Sequence, residues 1–138
     1  MTALVWTCDK CKRPIADGKG AVFVRWSDSK RYEEAKAKHK RKQRALVKAE
    51  QERTGKKRVL VAMDLTSMIP MMYAVPHWHV LHHKCDPTPA DSRCHYDVSE
   101  MRTEADVLAR TAHLMGKRWF KDTRWDDLIY RVLAQARS

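Results

Sequence analysis

Short apolar runs are separated along the chain by longer polar stretches. Residues 21–24 and 59–63 are continuous apolar runs with the length of buried strands, and residues 94–98 alternate between apolar and polar side chains. The first two runs are predicted to pair as a hairpin, with the segment between them inserted at its tip. Residues 66–76 are expected to form a loop, whose side chains could be core or an adaptable contact surface: Met68, Met71, Met72 and Tyr73.

Two amphipathic helices are predicted near the C-terminus. Thr103 and Asp106 are spaced as an N-terminal capping pair, and Thr123 and Asp126 repeat that spacing. Behind them apolar residues recur at helical spacing, first Val107, Leu108, Thr111, Leu114, Met115 and Trp119, then Trp125, Leu128, Ile129, Val132, Leu133 and Ala136. The pattern predicts a helical hairpin over residues 103–138 that packs on the sheet.

The polar stretch at residues 29–58 has the composition of a long, solvent-exposed helix. It is rich in Ala, Lys, Glu, Gln and Arg, and it contains no Pro and no Gly before Gly55. A helix is predicted over residues 30–53, with Ser29 as its N-cap and Gly55 as its stop signal. Its apolar positions form no continuous stripe, so most of its surface is expected to face solvent or a partner.

Positive charge is concentrated in this stretch. Residues 30–58 hold thirteen Lys or Arg and four Glu, a net charge of +9 in a chain whose total is +11. Such a segment is typical of solvated helices that keep a protein soluble, and also of helices that neutralise phosphates. The second interpretation is favoured, and it predicts binding to DNA or RNA without strong base specificity through Lys36, Lys38, Lys40, Arg41, Lys42 and Arg44.

Length and composition fit a single domain over residues 1–138, because 43% hydrophobic residues suffice for one small core. The chain has no apolar run of about eighteen residues and no secretion signal near its start. A cytoplasmic protein without a membrane partner is therefore expected. Four cysteines in a reducing compartment indicate metal binding rather than disulfides.

Two pairs of residues have the spacing of metal ligands. Cys8 and Cys11 are separated by two residues in a turn-rich stretch, beside lysines that favour the thiolate form. His82 and Cys85 repeat this spacing shortly before a proline. Together the pairs predict one closed, tetrahedral site for a structural Zn²⁺, with no coordination position open to water or substrate.

Neighbouring residues leave other ligand assignments open. His79 or His83 could replace His82, and His83 is the nearer rival. Cys94 could replace Cys85, although a half-buried thiol in a strand is the preferred interpretation of Cys94. The histidines expected not to bind metal are His39, His77, His79 and His113.

The order of these motifs resembles a known group of proteins. Cys-x-x-Cys is followed by Pro-Ile-Ala-Asp-Gly-x-Gly and then by Trp-x-Val-Leu-His-x-x-Cys-Asp-Pro, a pattern similar to small zinc-binding proteins encoded by phages of actinobacteria. The paired ligands also resemble the knuckle of LIM-type and treble-clef zinc sites. The resemblance implies a location in the host cytoplasm, and it implies as zinc ligands Cys8, Cys11, His82 and Cys85.

The chain is therefore predicted to be an α+β protein. Its expected parts are a small zinc-knuckle and β-hairpin domain, a long basic helical insertion at residues 29–58, and a C-terminal two-helix hairpin. A zinc-stabilised nucleic-acid-binding protein of phage origin, not an enzyme, is the favoured function. The alternatives are a protein-interaction factor that engages a host complex, and a metal-dependent hydrolase or nuclease that uses His77, His79 or His83.

Overall fold

The computed structural model describes residues 3–137, which form a small sheet and four helices. The strands are β1 (Gly20–Val24), β2 (His79–His82) and β3 (Cys94–Asp97). The helices are α1 (Trp26–Thr54), α2 (Leu65–Tyr73), α3 (Glu104–Leu114) and α4 (Trp125–Ala136). Short 3₁₀ turns lie at His83–Cys85, Val98–Met101 and Phe120–Asp122. This mixture of helices with an antiparallel sheet confirms the α+β class.

Contacts divide the chain into two compact units. The first comprises the described residues up to Ser27 together with those from Pro76 onward, so it contains the sheet, α3 and α4. The second is Asp28–Val75 and contains α2 and nearly all of α1. The insertion predicted at residues 29–58 falls inside this second unit.

The central strand of the sheet is β1, which pairs with β2 on one side and with β3 on the other, both antiparallel. All five of its residues are buried, which explains its continuous apolar sequence. The register places Val22 opposite Val80 and Tyr96. Because opposed residues of neighbouring strands share a face of the sheet, these three buried side chains point together into the core.

The predicted pairing of β1 with residues 59–63 is wrong. These residues are not a strand and run beside α1 instead, where the Gln43 side chain donates to the carbonyl of Ala62 at 3.3 Å and accepts from the backbone N–H of Asp64 at 3.0 Å. Leu60 is fully exposed. The partner that β1 does select, β2, carries a histidine at each end and so lacks the uniform apolar run of a typical buried strand.

One hydrophobic cluster joins the sheet to the C-terminal helices. Both helices contribute buried residues to it at the predicted spacing, Val107 and Leu114 from α3 and Trp125, Leu128 and Val132 from α4. The indole N–H of Trp125 also donates to the Thr111 hydroxyl at 2.9 Å, which links α4 to α3. The prediction that both helices face a core shared with the sheet is confirmed.

Only one of the two predicted capping pairs forms. At the start of α3 the Thr103 hydroxyl accepts from the backbone N–H of Asp106 at 3.0 Å, and the Asp106 carboxylate accepts from the N–H of Thr103 at 3.1 Å. The prediction that Thr123 and Asp126 form a capping pair at the start of α4 is wrong. The Thr123 hydroxyl donates to the carbonyl of Phe120 at 2.7 Å and accepts from the indole N–H of Trp78 at 3.0 Å, so it holds a core tryptophan instead of capping α4.

The helices of the second unit differ from the prediction at two places. α1 begins at Trp26, so Ser29 is a buried residue inside the helix and not its N-cap. Gly55 ends α1 with a left-handed φ of 71°, as predicted. The expected loop at residues 66–76 contains α2, in which Pro70 lies inside the helix. None of the helices formed by residues 3–137 is long and apolar enough to cross a membrane.

At Gly20, β1 packs closely against both β2 and the N-terminal segment. A Cβ atom there would lie 2.5 Å from the carbonyl oxygen of Leu81 and 2.6 Å from a methyl carbon of Ile15. The substitution Gly20→Ala is expected to destabilise the protein by about 1–3 kcal/mol, because backbone of β2 would have to move. The measurement is the free energy of unfolding in urea.

Gly116→Ala is the matched control for Gly20→Ala. Its added Cβ would lie 3.5 Å from the nearest atom, the carbonyl oxygen of His113, which is an ordinary contact distance. This variant should unfold close to the wild-type midpoint. Equal stabilities for the two variants would contradict the close packing at Gly20.

Candidate functional site

The first ligand pair lies in a tight turn near the N-terminus. The backbone N–H of Lys12 donates to the carbonyl of Cys8 at 2.9 Å, and the N–H of Cys8 donates to the carbonyl of Arg13 at 2.9 Å. Lys12 takes a left-handed φ of 62°, which turns the chain back after Cys11. This tight turn brings the sulfur atoms of Cys8 and Cys11 close together.

The second ligand pair follows from the end of a strand. His82 is the last residue of β2, and Cys85 ends the 3₁₀ turn His83–Cys85 that continues from it. The register of the sheet sets Gly20 opposite His82. The His82 position is therefore fixed by hydrogen bonding to the buried central strand, while a single turn returns Cys85 toward the same point.

The structure brings together all four residues predicted as ligands. One nitrogen and three sulfur atoms lie within 4.8 Å of one another, from Cys8, Cys11, His82 and Cys85. Cys8 and His82 are buried, and the other two are partly exposed. A spacing of this size leaves room for one metal ion between the four ligand atoms. The cluster could hold a metal ion at the boundary between the core and solvent.

The imidazole of His82 is oriented as metal-binding histidines are. Its Nδ1 atom lies 3.2 Å from the sulfur of Cys11, and its Nε2 atom lies 3.2 Å from the carbonyl oxygen of Pro14. A carbonyl oxygen only accepts, so Nε2 must carry the proton that it donates. Nδ1 is then left with a free lone pair directed at the cysteines, the arrangement in which an outer hydrogen bond prepares a histidine ligand.

The cysteines differ in how readily they ionise. Burial is the largest influence on Cys8 and favours its neutral thiol, but hydrogen bonds, chiefly from the backbone N–H groups of Cys11, His82 and Lys10, outweigh it and lower the pKa of Cys8 to about 6. Burial raises the pKa of Cys85, and so do the neighbouring sulfur atoms of Cys8 and Cys11. Cys85 therefore ionises less readily than a free cysteine, and a bound metal ion would favour its thiolate form.

Asp9 connects the turn at residues 8–11 to β2 by hydrogen bonds. Its backbone N–H donates to the carbonyl of Val80 at 2.7 Å, and its carboxylate accepts from the N–H of Val80 at 2.9 Å. The same carboxylate lies 3.0 Å from the guanidinium of Arg131 on α4. The two ligand pairs are consequently held together by protein contacts as well. The sequence analysis predicted neither the role of Asp9 nor that of the Pro14 carbonyl. A backbone carbonyl is present at every residue, so no residue type indicates which one accepts a hydrogen bond.

The rival ligands lie outside the cluster. His79 stacks on Phe23 with ring centroids 5.5 Å apart, and Cys94 starts β3 opposite Val24. His83, the nearest rival in sequence, is exposed. Within residues 3–137, no second group of metal-binding side chains of this size comes together. Of the histidines expected not to bind metal, His77 pairs with Asp127, His39 pairs with Ser67, and His113 is exposed on α3.

The residues predicted to contact phosphates lie on α1 in the second unit. Lys36 is partly buried, with its ammonium group 5.9 Å from the ring centroid of Tyr32. The other five are exposed, namely Lys38, Lys40, Arg41, Lys42 and Arg44. Salt bridges on α1 involve residues nearer its ends, such as Arg31 with Asp28 and Arg53 with Glu50. In the described part of the chain, no carboxylate lies within 4.0 Å of the exposed five.

None of the family models, curated proteins or solved structures compared with this chain matches it. The resemblance to phage zinc proteins therefore stays a prediction. The assignment of the metal ligands depends on the geometry of the cluster alone.

Substitution of the two adjacent histidines tests the cluster directly. His82→Ala should abolish or strongly weaken metal binding, because it removes the one nitrogen ligand. His83→Ala changes an exposed imidazole next to it and should leave metal binding intact. The measurement is titration with Co²⁺, whose absorption reports thiolate coordination and tetrahedral geometry. Loss of the signal in His83→Ala with retention in His82→Ala would show that the assignment is reversed.

Proposed function

We propose that this chain is a zinc-stabilised protein that binds nucleic acid through the basic surface of α1. The proposal has two parts, a structural metal ion in the first unit and a phosphate-binding helix in the second. The observation that supports the second part best is the set of exposed cations from Lys38 to Arg44, none of which has a carboxylate within 4.0 Å in residues 3–137.

Zinc is the metal that suits the donor set. Thiolates and imidazole favour Zn²⁺ over the hard cations, and three sulfur atoms with one nitrogen form a common structural zinc site. With Cys8, Cys11, His82 and Cys85 as ligands, the four positions of a tetrahedral ion are filled. Such a site has no position for a substrate, which supports a role in folding and argues against a hydrolase at this centre.

The helix charges are arranged so that they attract an external anion. Salt bridges within a helix can neutralise neighbouring cations, but Lys38, Lys40, Arg41 and Arg44 have no carboxylate within 4.0 Å in residues 3–137. At about 100° per residue, Lys40, Arg41 and Arg44 project within about 100° of arc. One side of the helix can therefore present three cations to a phosphate backbone, and release of counterions would provide the binding free energy.

The test replaces the four cations by a neutral helix former. In the variant Lys38→Gln, Lys40→Gln, Arg41→Gln and Arg44→Gln, affinity for duplex DNA or structured RNA should fall. The slope of log K against log salt should decrease by about 2 to 4, near 0.9 for each phosphate that the variant no longer neutralises. Glutamine preserves helix propensity, so α1 should remain folded. Fluorescence anisotropy at several salt concentrations measures both quantities.

A second variant removes the same charge elsewhere. Lys84, Lys117, Arg118 and Lys121 are exposed cations of the first unit, and their replacement by Gln lowers the net charge equally. This control should keep most of the affinity and the slope. If both variants bind alike, or if the helix variant binds as the wild type does, α1 is not the phosphate-binding surface.

A further inference from the structure

One face of α2 exposes large apolar side chains. Leu65, Ile69, Met72 and Tyr73 are 55%, 47%, 60% and 86% exposed. Their spacing of four, three and one residues places them along one side of a helix. We call these four residues the outer face of α2.

The opposite face of α2 is the one that packs. Ser67 is buried, and its hydroxyl lies 2.8 Å from Nδ1 of His39 on α1. Met68 and Met71 are partly buried on the same side. The orientation of α2 is thus fixed by contacts on its inner face, and nothing in residues 3–137 covers the outer face. Large apolar side chains grouped on a surface in this way are typical of a binding site.

A shallow groove runs along the surface of α1. It has a volume of about 630 Å³ and is lined by His39, Lys40, Gln43, Arg44, Val47, Lys48 and Gln51. His39 also contacts α2 through Ser67, and Gln43 contacts the segment that leads into α2 through Ala62 and Asp64. α1 therefore carries both this groove and the residues that contact α2 and the segment before it. Three of the lining residues are cations and none is acidic.

The charge of the second unit determines what can cover the outer face. Residues 28–75 contain thirteen Lys or Arg against six Asp or Glu. A second copy of this chain would bring two such cationic surfaces together, which opposes self-association. A nucleic acid would neutralise the cations but would leave the four apolar side chains in water. An acidic partner with apolar side chains satisfies both surfaces.

We infer that the second unit docks an acidic, amphipathic segment of a partner protein. Its apolar side chains would cover the outer face of α2, and its carboxylates would be attracted to the cations of α1, Lys40 and Arg44 among them. The inference goes beyond nucleic-acid binding, yet it shares Lys40 and Arg44 with that function, so the acidic segment and a nucleic acid should compete.

The test uses a defined probe. A labelled synthetic helix of about 20 residues, with Leu at positions i, i+3, i+4 and i+7 and Glu on its other face, should bind the full-length protein. A peptide with the same composition in permuted order should bind at least about tenfold more weakly, because it cannot present an apolar face. Duplex DNA should displace the amphipathic peptide. Fluorescence anisotropy measures all three results.

Two matched variants locate the site. Ile69→Gln with Met72→Gln changes only exposed side chains and should weaken peptide binding by about tenfold or more while the far-ultraviolet circular dichroism spectrum is unchanged. Leu108→Gln with Met115→Gln removes two comparably exposed apolar side chains of the first unit, and this variant should bind the peptide as the wild type does.

Equal peptide binding by the two variants, or by the ordered and permuted peptides, would overturn the inference. So would a wild-type dimer in sedimentation velocity that Ile69→Gln with Met72→Gln converts to monomer, since a second copy would then cover α2. The same variant should keep its affinity and salt slope for nucleic acid. Failure of this inference is thereby distinguishable from failure of the proposed function, which the α1 cation variant tests.

Discussion

In the first unit, two distant pairs of candidate metal ligands converge on one point. Seventy residues separate Cys11 from His82, yet the four ligand atoms lie within 4.8 Å of one another. Burial and the neighbouring sulfur atoms of Cys8 and Cys11 raise the pKa of Cys85, which opposes ionisation of all three thiols together. The attraction of a cation for each thiolate would outweigh this repulsion.

Several contacts of the surrounding protein hold the candidate ligands in position. Gly20 lets the backbone of β2 approach β1 closely. Asp9 joins the turn at residues 8–11 to Val80 through two hydrogen bonds. Asp86 follows the last ligand and pairs with Arg25 at 2.9 Å, both side chains being largely buried. Arg25 directly precedes α1, so the ligand loop contacts the start of that helix within the first unit. Charged hydrogen bonds of this kind give orientation as well as stability.

Local features could be predicted from the sequence, whereas pairing between distant segments could not. Three features have their signal within a few residues, namely the Cys and His pairs whose side chains come together, the capping pair at Thr103 and the end of α1 at Gly55. The partner of β1 was predicted wrongly because β2 reads His-Val-Leu-His, while residues 59–63 have the more strand-like sequence. Strand pairing depends on packing across the whole core, and the hydrophobic periodicity of a segment does not show which other segment it will pack against.

Two further differences have the same origin. Pro70 and the methionines around it indicated a loop, but contacts with α1 stabilise α2 despite the proline. Thr123 has the spacing of a helix cap, but its hydroxyl is used by Trp78. The orientation of His82 depends on the Pro14 carbonyl, which any residue type could supply at that position. Tertiary contacts thus decided each feature that the sequence pattern left undetermined or indicated wrongly.

The stability of the first unit with and without zinc tests the role of the ligand cluster most directly. All five tryptophans of the chain belong to this unit, so their fluorescence during urea denaturation reports its unfolding separately from that of α2. With free zinc at about a thousand times its dissociation constant, we expect stabilisation by about 4 kcal/mol over the chelated protein, with one ion bound per chain. Identical unfolding curves with zinc and with excess chelator would contradict a structural metal ion at this cluster.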